Sequence, residues 1–187
     1  MIECEKKIML TDKEYNIILA LFADTQKTHF QRNYYYDKDD LKFNKQGITC
    51  RIREKDGEYV ATVKQHNWGS EYCSIERIRT VSKEFNGNIF SDMNVKLQGC
   101  LETLRTVIYV DDDIEIVLDK SDYLGTEDYE LEIEYKKNKE DYAEFKLRYL
   151  AYRLRDIDKN FDVVRFCHYK PTKSKSERFF EMLKKIK

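Results

Sequence analysis

Side chains alternate between two faces along a β-strand, and in this chain the alternation separates charged from apolar surface in one segment after another. In IECEKKIML (2–10), Glu3, Glu5 and Lys7 share one side against Ile2, Cys4, Ile8 and Leu10, with Lys6 out of phase. In GITCRIRE (47–54), Thr49, Arg51 and Arg53 oppose Ile48, Cys50 and Ile52. In EYVATVK (58–64), Thr62 and Lys64 share a side with Glu58 and Val60. IEIVLDK (114–120) groups Glu115 and Asp119 with Val117, and YELEIEY (129–135) sets Glu130, Glu132 and Glu134 against Leu131, Ile133 and Tyr135. One such strand is ordinarily the wet side of a half-exposed sheet. Here the signs are sorted by strand, acids in line on one and bases on another. Sorting of this kind suits a site for a metal and an anion together. Carboxylate oxygens suit a hard cation such as Mg²⁺, while arginine forks and lysines suit phosphate oxygens.

Strand signals fall near 2–10, 31–36, 47–54, 58–65, 74–81, 104–111, 113–120 and 128–135. KDG at 55–57 and DDD at 111–113 mark hairpin turns. Four helices are expected between and after the strands. The first follows Thr11, whose spacing to Glu14 is that of a capping box, and stripes Tyr15, Ile18, Leu19 and Phe22. A short one is expected near 92–101. A third spans 140–155, with Ala143, Leu147, Leu150, Ala151 and Leu154 at helical spacing, and the last starts from Ser174 with Glu177 as its partner. The fold class is therefore α+β: about eight antiparallel strands as a sheet or barrel, with helices beside it. If the strands close, the charged side becomes a hydrated interior and the apolar side is covered by the amphipathic helices. Leaving such an interior dry and empty is costly, so water, metal and polyanion are its natural occupants.

A length of 187 residues fits one domain, 1–187. The formal net charge is −1, from 34 basic and 35 acidic side chains, which argues against a nucleic-acid field over the whole surface. No apolar run approaches the roughly 20 residues of a membrane span, and the N-terminus lacks the apolar core of a signal peptide. Cys4, Cys50, Cys73, Cys100 and Cys167 are odd in number and form no CxxC, so neither a disulfide framework nor a zinc site is expected, and a reducing cytoplasm is the simplest setting.

ECEKK at 3–7 matches an ExExK signature. It is followed in order by NYYYDKDDLKFNKQGITCRIREKDGEYVATVKQ, by LR at 104–105, by LDKSDYLGTEDYELEIEY and by SKSERF. This ordered set, spanning roughly residues 2 to 180, resembles the CYTH superfamily, the triphosphate tunnel metalloenzymes, including its thiamine-triphosphatase-like members. The resemblance implies an eight-stranded antiparallel β-barrel forming a charged tunnel, flanked by helices. It implies a metal-dependent hydrolase of inorganic triphosphate or a related organic triphosphate such as thiamine triphosphate, using Mg²⁺ or Mn²⁺. By matching position, Glu3, Glu5, Glu130, Glu132, Glu134 and Asp119 are the expected metal-side acids. Lys7, Arg51, Arg53, Lys64 and Arg105 are the expected phosphate ligands, with either Lys173 or Lys175 at one end of the tunnel. Lys64, Glu5 and Glu132 are the expected catalytic set. The chain departs from the family pattern at ERIR (76–79), where Arg77 and Arg79 stand where acids are commoner and Glu76 takes the acidic role only if its side faces inward.

The expected partner is a small-molecule triphosphate, with no nucleic acid and no membrane, and the protein is a monomer or homodimer. One alternative is a class IV adenylate cyclase on the same scaffold, which needs the same triphosphate grip. Another is a non-catalytic polyphosphate-binding module, which would have no use for glutamates beside its arginines. His29, His66 and His168 lack ligand spacing and read as surface or core residues. Tyr34, Tyr35 and Tyr36 read as strand packing, Trp68 as a loop contact, and Cys4 and Cys50 as core.

Overall fold

A computed structural model describes residues 2–24, 27–66, 73–81, 88–168, 170 and 172–187, without the side chains of 2, 3, 73, 74, 88 and 91. Trp68 lies outside the described residues, as does the side chain of Glu3. Eight strands run β1 (Ile2–Leu10), β2 (Lys27–Asp37), β3 (Ile48–Lys55), β4 (Glu58–Gln65), β5 (Cys73–Val81), β6 (Lys96–Val110), β7 (Ile114–Tyr123) and β8 (Thr126–Tyr135). They close into an antiparallel barrel in the order β1-β5-β4-β3-β2-β6-β7-β8. The seam between β1 and β5 is short, pairing Ile2, Cys4 and the backbone of residue 3 with Ile75, Cys73 and residue 74. On its other side β1 pairs along its length with β8, from Cys4 opposite Tyr135 to Leu10 opposite Tyr129.

The helices are α1 (Asp12–Leu21), α2 (Lys42–Lys45), α3 (Glu140–Ile157), α4 (Val163–Cys167) and α5 (Lys175–Ile186). Capping boxes at Thr11 and Ser174 start α1 and α5, each pairing the cap with the backbone and side chain of a glutamate three residues on. The β3–β4 turn is made by Asp56 and Gly57, both at positive φ, as a two-residue hairpin matched to strand twist requires. The β6–β7 turn is held by Asp111, whose Oδ1 accepts from the backbone N–H groups of Asp113 and Ile114.

The helix expected near 92–101 is replaced by a 3-10 turn at Asn88–Met93 and the start of β6. The pairing of β6 with β2 is the reason. Leu97 sits opposite Tyr36 and Gly99 opposite Tyr35, with a bulge between them. Gly99 has φ +153°, and a Cβ there would lie 2.8 Å from Cζ of Phe179. Strand pairing and close approach to α5 thus override a spacing that reads as helical.

α1, α3 and α4 cover the outer faces of β1, β6, β7 and β8 through a core that includes Ile8, Ile18, Leu118, Leu131, Ile133, Leu147, Leu154 and Phe166. Lys6, out of phase on the apolar side of β1, is buried here, and its ammonium donates to Glu140 (2.9 Å) and Glu144 (3.4 Å) of α3. α5 has another position. Its Phe179, Phe180 and Leu183 pack with Tyr35, Leu101 and Tyr123. Those three share strand parity with the charged interior, so α5 closes one end of the barrel rather than covering its outside. Cys4 is disulfide-bonded, contrary to the expectation from cysteine spacing, and Cys73 is its register partner across the seam. The closed topology brings together strands 69 positions apart in sequence, as the Cys4–Cys73 pairing shows, a proximity that cysteine spacing cannot reveal.

Candidate active site

The barrel order turns strand parity into a divided tunnel. β7, β8, β1 and β5 are contiguous and carry the inward acids; β4, β3, β2 and β6 are contiguous and carry most of the donors. The tunnel holds a cavity of about 510 Å³. Its lining includes Glu5, Glu132 and Glu134 on one side and Arg51, Arg53, Lys64 and Arg105 on the other. Carboxylate oxygens of Glu5, Glu132 and Glu134 lie within 4.8 Å of one another, as do those of Asp119, Glu130 and Glu132. Hard oxygen donors this close together fit Mg²⁺ or Mn²⁺.

Every acid in the cluster has a basic neighbour. Glu5 accepts from Lys7 (2.7 Å) and Lys64 (3.2 Å). Lys7 also donates to Glu132. Arg105 grips Asp119 through Nε and Nη2 at 2.9 and 2.7 Å, donates to Glu134 at 3.1 Å and reaches Glu132. Lys175, the first residue of α5, places its ammonium 2.8 Å from both Asp119 and Glu132 and against Glu130. Lys173 lies outside this cluster, exposed and paired with Glu181 of α5. Glu76 faces inward, 3.5 Å from Lys64 and 3.6 Å from Arg51, while Arg77 and Arg79 are exposed on the other side of β5.

The electrostatics follow from burial set against pairing. Burial pushes the Glu5 carboxyl up, but Lys7 and Lys64 outweigh it and hold the group at about 2. Burial likewise opposes charge on Glu132, and Lys175, Lys7 and Arg105 overcome it, keeping the group well below the usual carboxylate range. Glu130 goes the other way: burial raises it, and its neighbour Glu132 adds to the effect against the pull of Lys175. Arg53 is lowered to about 10, by burial first and then by Arg51 and Arg105. No carboxylate pairs with Arg53 among the described residues.

Parity alone did not single out four other wall residues. His66 is lowered to about 4 by burial and by Lys64, so it stands neutral at pH 7. Its Nε2 lies 2.9 Å from the Thr49 hydroxyl, which is 2.8 Å from the hydroxyl of Ser176 on α5. His29 and Gln31 line the tunnel from β2. Their signal was available in the sequence: β2 begins at Lys27, four residues before its expected start, and an extended strand places 27, 29 and 31 on the side of Arg53's partner Asn33. Asp37, by contrast, is a local brace, accepting from the N–H groups of Lys38, Phe43 and Asn44 around α2.

Comparison with known proteins places the chain. The family model for the CYTH domain matches residues 1–162, and the chain belongs to the CYTH family. It is 31% identical over 147 residues to "Putative triphosphatase YjbK" of Bacillus subtilis, covering 71% of this chain and 77% of that protein. A Bacillus halodurans crystal structure described as a "putative adenylate cyclase" is 27% identical, covers 95% of this chain and 97% of the other, and superposes with a TM-score of 0.68. The Hippeastrum protein HpAC1, described as a "putative adenylyl cyclase" with "a dominant triphophatase activity", shares the fold at 16% identity and TM-score 0.64, over 96% and 95% of the two chains.

Proposed function

We propose that this CYTH-family protein is a metal-dependent triphosphatase that hydrolyses inorganic triphosphate, or an organic triphosphate such as thiamine triphosphate, within its tunnel. The observation that carries this reading is the division of one cavity into a carboxylate wall and a wall of arginines, with Arg53 free of any carboxylate among the described residues. An anion spanning the cavity would meet Arg51, Arg53 and Arg105 on one side and a metal-binding acid cluster on the other. The triphosphatase name of the Bacillus subtilis relative supports the same reaction class.

Glu5, Glu132 and Glu134 would hold a divalent ion, which supplies charge neutralisation on phosphate oxygens. Arg51 and Arg53 bind and orient the phosphate chain. Lys7, within the acid arc on β1, and Arg105, at its edge on β6, neutralise its charge. Lys64 lies between Glu5 and Glu76, where it orients a water toward the terminal phosphorus. A Glu5 carboxyl held at about 2 is a weak base. The chemistry therefore rests on positioning and charge stabilisation more than on proton abstraction. Attack by water on the terminal phosphorus breaks the P–O bond to the bridging oxygen and releases orthophosphate, with pyrophosphate left from inorganic triphosphate and the organic diphosphate left from an organic one.

Cyclase chemistry needs a platform for a nucleobase as well. The aromatic rings lining the described tunnel are Tyr35, His29 and His66, and Tyr35 is already packed at a tilt against Phe179 at the closed end. Hydrolysis is accordingly the first reading. Incubation with triphosphate, thiamine triphosphate and ATP, each with Mg²⁺, Mn²⁺ or chelator, tests it by product analysis. The expected result is metal-dependent orthophosphate release from triphosphate, lost in Glu132→Gln while the melt stays cooperative. Release of cyclic AMP and pyrophosphate from ATP would move the assignment to the cyclase. Absence of product from every substrate would end the enzyme reading.

A further inference from the structure

The donor wall contains two carboxamides whose NH₂ groups have no acceptor among the described residues. Gln31 and Asn33 occupy successive inward positions of β2, and each is 1% exposed. Among the described residues, Gln31 Nε2 and Asn33 Nδ2 have no hydrogen-bond partner, and neither does Arg51 Nε on the facing strand. The Asn33 geometry leaves no choice of orientation. Its Oδ1 accepts from Arg53 Nε at 3.1 Å, and because an arginine Nε–H only donates, the amide oxygen must face it. The NH₂ group is therefore turned away from Arg53 Nε. Gln31 lines the cavity, with Lys55 opposite it on β3 and Thr103 opposite it on β6.

Buried donors without acceptors are rare and cost about 1–3 kcal/mol each. Three on one wall, beside an arginine with no carboxylate among the described residues, form a surface short of acceptors. Arg51, Arg53 and Arg105 already repel one another across this wall, and a further lysine would add to that repulsion. A neutral carboxamide offers a hydrogen bond to an oxyanion without it.

We propose that the carboxamides of Gln31 and Asn33 are substrate ligands, donating to phosphate oxygens alongside Arg53, with Asn33 also fixing the angle of the Arg53 guanidinium. The proposal rests on the triphosphatase reading and deepens it by assigning neutral donors to the phosphate grip. It makes binding and stability move in opposite directions. Gln31→Met keeps the length of the side chain and removes a donor that has no partner in the free protein. Its half-saturation concentration for inorganic triphosphate with Mn²⁺ should rise about ten-fold or more, the size expected for a hydrogen bond to a charged group. Its urea midpoint should stay level or rise. Asn33→Asp keeps the acceptor for Arg53 and replaces the free donor, and it should weaken triphosphate binding at least as much.

The controls are the parent protein and Arg53→Ala. If Arg53→Ala binds weakly while Gln31→Met and Asn33→Asp bind like the parent, the carboxamide assignment is wrong and the triphosphatase reading stands. A fall in the urea midpoint of Gln31→Met would also overturn the assignment, since it would mean the amide serves the fold. A Gln31→Met chain that does not fold counts as such a fall, and the affinity of Asn33→Asp then tests the Asn33 assignment by itself. A parent protein that binds no triphosphate removes the reading itself, and the assignment with it.

Discussion

Lys175→Met tests the architecture of the closed end. The Lys175 ammonium is nearly buried and lies among Asp119, Glu130 and Glu132, all of them buried acids. Burial opposes its charge, and those carboxylates outweigh burial and raise it. Removing one partner of a buried ion pair costs about 3–5 kcal/mol, because the remaining charge stays desolvated. For a chain of this length each kcal/mol is worth about 2–4 °C, so the melting temperature in chelator should fall by roughly 6–20 °C. Two features separate this loss from simple misfolding. First, the oxygens of the three acids are close enough for a divalent ion to replace the ammonium. Mn²⁺ at about 100 times its dissociation constant would return about 2.7 kcal/mol, so metal should stabilise the variant more than the parent. Second, Glu130, already raised by burial, titrates higher still without the ammonium, above its place in the unfolded chain. The folded variant then binds the extra proton, and its stability deficit should shrink as pH falls from 7 towards 5. Scanning calorimetry with and without chelator reads all three effects. A variant that melts with the parent in chelator and gains nothing extra from metal would refute the reasoning.

Two further outcomes are expected. His66 is held at about 4 against an ordinary 6.5, with burial as the main cause. Between those values the unfolded chain binds more protons, so this group takes away up to about 3 kcal/mol of stability as pH falls from 6.5 to 4; urea melts of His66→Gln should be flatter across that window, and an unchanged slope would count against the buried neutral imidazole. Gly99→Ala should lose about 1–3 kcal/mol, because φ is +153° and the new methyl meets Phe179 at 2.8 Å. Pairing it with Phe179→Leu should give less than the sum of the two losses, and strict additivity would mean that the ring and residue 99 do not press on each other.

What could be read from the sequence was whatever depends on period. The strands of β1, β3, β4 and β8 alternate cleanly, and their inward sets Glu5 and Lys7, Arg51 and Arg53, Lys64, and Glu132 and Glu134 come together in one cavity. The start of β2 was less legible, since KTHFQRNYYYD mixes polar and aromatic residues on both sides. So was the start of β6, where Gly99 and a bulge interrupt the alternation. Cys4 and Cys73 are 69 positions apart, and only the closing seam makes them opposite neighbours.

Parity assigns a side but not a depth, and depth decides what an inward residue does. Tyr35, Asn33 and Gln31 follow one another along the same face of β2. Tyr35 lies at the end that α5 enters, ringed by Phe179 and Phe180 at 4.9 and 5.8 Å. There an inward side chain belongs to an apolar core. Two residues away, Asn33 accepts from Arg53, and at Gln31 the wall opens on the cavity. The same argument separates Lys173 from Lys175. Both precede or begin the last helix, yet the capping box at Ser174 sets the helix start, so position 175 projects into the barrel and position 173 stays on the surface. An apolar helix face that seals one end therefore forces its own first residue among the carboxylates. In this fold, the element that closes the tunnel also brings a cation to the acids at its inner end, beside those of Lys7 and Arg105.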